Sequence, residues 1–551
     1  MSLSEIAPSH PLETPGAPPP PAVGPYEVLD GPLDGAELLD AIRTVLGRQE
    51  ASGDAPVLVS RGPDDHVVSV AGARLEVRSR PLPDGPPGTL DPVLPAPPRR
   101  RVLVSATSTA GPLPERAEAL YAALVAEIGL RAHCYTAAEI RSIRNGLPLV
   151  ERYATPEPAL TGWALVFRDH YVENSVGFLL AMERAGLPRE WIYALSKGDR
   201  TQHRDRVHAW FVRHGYRSDT LDNSVINGTA DGTALAHARR VNERVSAFVG
   251  RAHAEGRRVL VIDDGGLLAQ GYGSDDPFLE HVDAAVELTV SGLKRIAGAP
   301  GELTIPVFNM ARSQVKTELG YNEIADSCVR RLRAIIPGEK FIGRHVLLLG
   351  YGTLGSRTAH ALRALGCRVG VVDTDVLTLI TAAEDGFETY RSTAEALTHR
   401  RPFLIMGGTG ELAVTPADLP LLPDGVFLAG FATKDFSLLA DGHADARETV
   451  IPHVGLHYAL PSGKSVTVLG DGRSLNLFEY EGIANRGYDA YRAGTLLAAK
   501  RLCRDLDTFP PGVHLDPVNR AIDEAGLFTA YYDRYLCGTA QPPSEVAGHA
   551  R

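Results

Sequence analysis

Residues 345–375 read HVLLLGYGTLGSRTAHALRALGCRVGVVDTD, a complete strand–turn–helix–strand pattern. A strand over 345–349 runs into Gly350-Tyr351-Gly352-Thr353-Leu354-Gly355. A helix is expected over 355–365, with Ala359, Leu362 and Leu365 on one face, and a strand over 368–372 ends at Asp373. Gly350 permits the tight bend, Gly352 lets the backbone approach a pyrophosphate, and Gly355 lets the helix pack close to the strand. The helix start offers unpaired N–H groups and the positive end of its dipole to the phosphates. Asp373 lies 23 residues after Gly350, where an acid accepts hydrogen bonds from a ribose 2′-OH. That acid repels a 2′-phosphate, so the pattern predicts NAD rather than NADP. All six residues 350–355 and Asp373 are candidate cofactor contacts.

The neighbouring sequence supports an α/β fold. RVLVSAT (101–107), WALVF (163–167) and RRVLVIDD (257–264) are apolar, β-branched runs, most of them followed by helical stretches. Such alternation predicts parallel sheets buried on both faces. Ahead of them, residues 1–25 are proline-rich and are expected to be disordered. Residues 26–80 have the pattern of a small αβ unit, with Leu38, Leu39, Ile42 and Leu46 at helical spacing and short strands at VLVS (57–60) and VVSV (67–70). Residues 81–100 read as a linker.

Composition narrows the function classes. With 551 residues, two or three domains are expected. A net charge of −11 and the lack of a basic patch interleaved with aromatics argue against nucleic acid as partner. No apolar run reaches membrane-spanning length, and the first residues lack the pattern of a secretory signal. The five cysteines are scattered without a C-x-x-C pair, as in a reduced cytoplasmic protein. His453 and His457 are four apart, but Pro452 and Gly455 break any helix that would align them, so no metal site is expected. The Ala/Arg/Gly/Pro bias suggests a high-GC bacterial source.

Several ordered segments around the glycine turn resemble the S-adenosylhomocysteine hydrolase (adenosylhomocysteinase) family. They are HYVENSVGF (170–178), RTQH (200–203), VLVIDDGGLL (259–268), ELTVSGL (287–293), VFNMARSQVKTELG (307–320), GGTGE (407–411), AGFATKDFSLL (429–439), GDGRSLNL (470–477) and PPGVHLDP (510–517). The resemblance covers about 160–535 and leaves residues 1–100 outside it. It implies an NAD-binding Rossmann domain (331–480) inserted in a larger α/β substrate domain (101–330, completed by 481–540), behind a small N-terminal extension (1–100). It also implies a homo-oligomer and a small-molecule substrate. The implied chemistry is oxidation of a ribose 3′-OH by tightly held NAD. The ketone acidifies the C4′ proton, a thiol is eliminated, water adds, and the ketone is reduced again. By this resemblance Lys316 is the base at the hydroxyl, Asp264 an acid near the substrate, and His170 a proton-transfer residue. Thr289, Ser291, Thr409, Gly410 and Asn476 match further cofactor contacts. Read from the residues alone, Asp264 is also a turn acid, His170 a structural histidine, and the threonines caps.

The departures are informative. The family's aspartate four residues after the lysine falls at Gly320, and its next asparagine at Tyr321, with Asn322 adjacent. The glutamate before the threonines becomes Leu288, with Glu287 upstream. The gate motif reads Gly430-Phe431-Ala432-Thr433. A later family histidine becomes Ile483, and the adenine-recognising threonine and glutamate become Val172 and Asn174. The C-terminal residues SEVAGHAR lack the lysine and tyrosines of the family's tail. Apolar replacement of buried hydrogen-bonding groups weakens recognition of the original ligand. The expectation is therefore retained redox capacity with a changed, nucleoside-like or sugar-like substrate. The alternatives are authentic S-adenosylhomocysteine hydrolysis and a non-catalytic NAD-binding sensor or complex subunit. Substrate and nicotinamide should meet in a cleft at the carboxyl ends of the strands.

Overall fold

The computed structural model describes residues 23–537, apart from 32, 49–54, 83–99, 109–110, 229, 270–280, 300, 432–434 and 441–445. The chain divides into two compact units, Met1–Cys134 and Tyr135–Arg551.

In the N-terminal unit, strands β1 (Val23–Gly31), β2 (Val57–Gly62), β3 (Asp65–Val70), β4 (Ala73–Pro81) and β5 (Arg100–Ser108) form an antiparallel sheet in the order β1-β5-β4-β3-β2. Helices Gly35–Gly47 and Glu115–His133 join it in one core, with Leu38, Ile42, Leu120 and Leu124 packed with Leu75, Val77, Val102 and Val104. A capping box starts the first helix: the Glu37 N–H donates to the Asp34 carboxylate at 2.8 Å, and the Asp34 N–H to the Glu37 carboxylate at 3.1 Å. This unit corrects two boundaries. The run from Arg101 belongs here and not to the substrate domain. Its alternation buries Val102, Val104 and Ala106 and turns the residues between them outward, the signature of a half-buried antiparallel strand. Residues 23–25, expected to be disordered, open β1. Most of the 1–25 segment and nearly all of the 81–100 linker lie outside the described residues.

The second unit holds two sheets. The first contains β6 (Trp163–Asp169), β7 (Ile192–Ser196), β8 (Arg217–Thr220), β9 (Arg258–Asp263), β10 (Ala284–Glu287) and β11 (Pro306–Asn309). Those six strands pair in parallel, and β6, β7, β10 and β11 are buried along their whole length. The second contains β12 (His345–Leu349), β13 (Arg368–Val372), β14 (Glu388–Tyr390), β15 (Leu404–Gly407), β16 (Val426–Gly430), β17 (Arg447–Ile451), β18 (Gly455–Ala459) and β19 (Ser465–Leu469). From β14 through β16 to β19 it is parallel; β18 and β17 then return as an antiparallel ribbon that the strand–helix pattern did not disclose. The chain finally comes back to the first sheet, where β20 (Gly512–His514) pairs in parallel with β11. Helix Asn485–Arg504 is part of that return and is buried along most of its length. Among the described residues no helix is long and apolar enough to cross a membrane.

Strand order positions the site. The first sheet runs β20-β11-β10-β9-β6-β7-β8, so the chain leaves β6 toward β7 and later resumes on its other side at β9. The second runs β14-β13-β12-β15-β16-β19-β18-β17, with the same reversal between β12 and β15. At such reversals the connections depart in opposite directions and leave a crevice beyond the carboxyl ends of the strands.

Candidate active site

Both crevices contribute to one cavity of about 800 Å³, large enough for a cofactor head and a small substrate. From the second sheet come Gly352, Thr353, Leu354 and Gly355, which follow β12, and Thr409 and Gly410, which follow β15. The glycine turn is shaped by contacts. Gly350 has φ +93°, its N–H donates to the Val372 carbonyl at 2.7 Å, and a Cβ there would crowd Thr409 Cγ2 at 3.1 Å. A Cβ on Gly355 would fall 2.1 Å from the Gly350 carbonyl oxygen, whereas one on Gly352 would meet no protein atom within 4 Å. Gly352 also caps helix Thr353–Ala364 without any side-chain hydrogen bond. The turn thus keeps an open face with unclaimed N–H groups, the cradle a pyrophosphate requires.

That difference yields a prediction. Gly352→Val should purify with little NAD and an unchanged melting temperature, because the new side chain enters space left for the cofactor. Gly355→Ala should lower the melting temperature as well, because its methyl must displace backbone. Equal NAD content in Gly352→Val and the parent chain would refute the cradle.

Three expected cofactor residues stand behind this face. Gly350, Tyr351 and Asp373 are not among the cavity's lining residues. Tyr351 turns inward, its hydroxyl donating to Asp385 at 2.6 Å and its ring set edge-on to Phe387; its side chain is a core element rather than a ligand contact. Asp373 accepts the Tyr351 N–H at 2.8 Å and the Asp375 N–H at 3.0 Å, which fixes its carboxylate just past β13. On the β15 side, Asp435 accepts the Thr409 N–H (2.9 Å), the Thr409 hydroxyl (2.6 Å) and the Gly410 N–H (3.3 Å). Asn476 is buried in the wall and accepts from the Ser474 hydroxyl at 2.8 Å.

From the first sheet come His170, one residue past β6, Asp264, one past β9, and Lys197, one past β7. Lys197 Nζ donates to Asp264 Oδ1 at 2.6 Å and lies 3.3 Å from His170 Nε2. His170 Nδ1 meets Asp199 Oδ2 at 2.5 Å, and its Nε2 is 3.4 Å from Asp264 Oδ1. Burial and the Lys197 ammonium oppose charging of the imidazole, but the Asp264 and Asp199 carboxylates outweigh them and raise it to about 9. The same contacts overcome burial at the acids, taking Asp199 down to about 2 and Asp264 well below the usual carboxylate range.

Lys316 enters from a π-helical turn, Val315–Gly320, a local irregularity frequent at functional sites. Its Nζ lies over the Tyr491 ring at 4.1 Å. Burial lowers it to about 8, against the raising effect of Asp264 and with the help of Arg492. A Cβ on Gly320 would be 3.2 Å from Lys316 Cδ, so the lysine stem packs against a position that a side chain such as aspartate would crowd. Thr289 and Ser291 line the cavity, and Thr289 is also the cap of helix Val290–Gly298: it accepts the Gly292 N–H at 2.9 Å and donates to Glu287 at 2.7 Å.

Residues 322–482 match the model of the S-adenosyl-L-homocysteine hydrolase NAD-binding domain. The adenosylhomocysteinase of Gloeothece citriformis is 26% identical over 268 residues, covering 47% of this chain and 61% of its own length. That of Nostoc sp. is 28% identical over 268 residues, covering 47% of this chain and 62% of its own. The chain is similar to the adenosylhomocysteinases, most specifically in their NAD-binding domain. It thus spans less than two thirds of the length of those curated relatives. A solved dipicolinate synthase component from Bacillus halodurans is 14% identical, covers 63% of this chain and 100% of its own, and superposes with a TM-score of 0.34, too loosely to bear on fold or function.

The positions at which this chain departs from the resemblance separate into two groups. Tyr321 and Phe431 line the cavity; Val172, Asn174 and Ile483 are buried but do not line it. Asn174 instead accepts from Arg492 Nε at 2.9 Å. Asn322 does not restore the lost asparagine: its amide donates to the Glu318 carbonyl at 2.7 Å, and Tyr321 faces the cavity in its place. Ala432 and Thr433 of the gate motif lie outside the described residues.

The sequence reading missed Lys197, Asp199 and Asp435. Lys197 and Asp199 had a usable signal: KGD (197–199) directly follows the apolar strand IYALS (192–196), and charged residues at the carboxyl end of a parallel strand face the crevice. It passed over Glu287 as a functional residue. Glu287 holds the Asp264 loop and the threonines together, accepting the Gly265 and Gly266 N–H groups (3.3 and 3.2 Å) and the Thr289 N–H (2.8 Å). Burial and the neighbouring Asp263 raise the Glu287 carboxyl well above its ordinary value.

Proposed function

We propose that this chain is an NAD-dependent enzyme that oxidises a secondary alcohol of a nucleoside-like or sugar-like small molecule. The oxidation is transient, enabling elimination, hydrolysis or epimerisation, or it is net dehydrogenation. The substrate differs from S-adenosylhomocysteine. The supporting observation is the convergence of Lys316, Asp264, His170, the glycine turn and Thr409 on one cavity at two strand-order reversals. Cytoplasmic location and homo-oligomeric assembly belong to the same reading, by resemblance.

NAD bound on the glycine turn supplies the hydride acceptor. Neutral Lys316 takes the hydroxyl proton; with its value near 8, an appreciable fraction is neutral at physiological pH. His170 stays protonated to about 9 and offers an N–H to a developing carbonyl or leaving group. Asp199 holds the imidazolium in place, and the Lys197–Asp264 pair sets the charge beside it.

The reaction needs Lys316 neutral and His170 protonated. Its rate should therefore rise with pH through about 8 and fall through about 9, with limbs belonging to the coupled cluster. The optimum is read from formation of bound NADH. A rate falling steadily from pH 6 to 8 would reverse these roles.

A second reading, authentic S-adenosylhomocysteine hydrolysis, is favoured by the same convergence of Lys316, Asp264 and His170. NAD-loaded protein given S-adenosylhomocysteine separates the two. The proposal expects neither free thiol nor NADH. Thiol released at an enzyme-like rate, and lost in Lys316→Ala, would mean hydrolysis persists. NADH without thiol would show oxidation without elimination. If no alcohol reduces the bound NAD, the redox reading is lost and a cofactor-binding sensor takes its place.

A further inference from the structure

The cavity carries more positive than negative side chains, and most of the positive ones are already paired. Among the described residues that line it, Lys197 is paired with Asp264, His170 with Asp199, and Lys294 with Glu411 at 2.9 Å. Arg295 spends its guanidinium on the Gly265 carbonyl and the Asn227 side-chain oxygen, both at 2.5 Å. Arg312 and Lys316 remain. Arg312 makes no side-chain hydrogen bond and no ion pair to another described residue, and Lys316 meets only aromatic rings at close range.

These two cations lie four residues apart on the segment leading from β11 into the π-helical turn. The Arg312 backbone is tied down, its N–H donating to Asn309 Oδ1 at 3.0 Å. Lys316 Nζ lies 5.9 Å from the Tyr321 ring, and the Arg312 charge reaches the same tyrosine. Arg312, Tyr321 and Lys316 therefore converge on the substrate-sheet side of the cavity, whereas the cofactor phosphates are expected on the glycine turn of the other sheet. A neutral sugar or nucleoside gives a guanidinium here no counter-charge. A carboxylate or phosphate does, and the planar fork of arginine matches either through paired N–H groups.

We propose that the substrate alcohol carries an anionic group, a carboxylate or a phosphate, that sits on the Arg312 guanidinium while its hydroxyl faces Lys316. The position of the hydroxyl rests on the proposed function; the anion site does not. The substrate class is then a sugar acid, a sugar phosphate or a related hydroxy acid.

The test is calorimetric titration of the full-length, NAD-loaded protein with inorganic phosphate and, separately, with malonate at low ionic strength. At least one anion should bind, Arg312→Gln should weaken it tenfold or more, and Lys340→Gln, a change at an exposed lysine, should leave it unchanged. Bound NAD and melting temperature should match the parent in both variants. The tighter anion identifies the group: malonate for a carboxylate, phosphate for a phosphoryl group. No binding of either anion, or equal binding by Arg312→Gln, overturns the proposal. So does loss of NAD from Arg312→Gln, which would assign the guanidinium to the cofactor. Binding is read without turnover, so failure of every alcohol to yield NADH would refute the redox reading and leave this result intact.

Discussion

Lys316→Met purifies with its full content of NAD and reduces it far more slowly than the parent when an alcohol substrate is supplied. The expectation follows from where the lysine stands. Lys316 arrives from β11, on the sheet opposite the glycine turn, and its ammonium meets the Tyr491 ring and no backbone of the cofactor cradle. Its removal therefore takes away a base without touching the cradle. A positioned base contributes about 100- to 10,000-fold to proton transfer, and the rate of NADH formation should fall by that much. Methionine keeps the length and apolar character of the stem in its buried seat. Lys316→Arg should be as inactive as Lys316→Met, since a guanidinium does not deprotonate near pH 8. Single-turnover absorbance of bound NADH measures both. A Lys316→Met variant with near-parent rates would mean that another group takes the hydroxyl proton and would remove Lys316 from the role of base.

Arg492→Met should be the most destabilising single change. Arg492 is 1% exposed and Asp169 likewise 1%, and the guanidinium donates to Asp169 Oδ2 and to Asn174 Oδ1. The rest of its surface is covered by the rings of Tyr488, Phe178 and Phe167. Removing one member of such a pair strands the other as an uncompensated buried charge, at a cost of about 3–5 kcal/mol. Asp169 would retain only the Ser175 hydroxyl, at 2.6 Å. The loss is read as a lower urea midpoint. Adding Asp169→Asn to Arg492→Met should recover part of it, because the second change removes the stranded charge. A double variant no more stable than the single one would mean that ring packing, and not the ion pair, gives Arg492 its weight.

The glycine turn, its flanking strands and Asp373 were legible because they are local. Their geometry is set by backbone conformation and hydrogen bonds within 31 consecutive residues, and a φ of +93° at Gly350 selects glycine directly. The parallel strands were legible because burial on both faces requires unbroken apolar runs. The N-terminal boundary was misplaced because RVLVSAT satisfies two rules at once, and only pairing with β1 and β4 separates an antiparallel strand from a parallel core. The β17–β19 ribbon was missed for the same reason.

What the chain order could not disclose is the charge pairing of the site. Lys197, Asp264, His170 and Asp199 come from three strand ends that lie up to 94 residues apart, and only the sheet order β9-β6-β7 sets them side by side. The partner of an ion decides whether it acts as base, acid or counter-charge, so His170 read as a candidate while its imidazolium character did not. Tyr321 and Asn322 make the same point at one residue's resolution. Both stood where an asparagine was expected, and the phase of the π-helical turn chose the tyrosine. Sequence determines which groups are available and how the local backbone bends. Tertiary structure alone brings distant charges within a few ångströms of one another in a largely buried cluster, and that proximity sets their protonation and with it their chemistry.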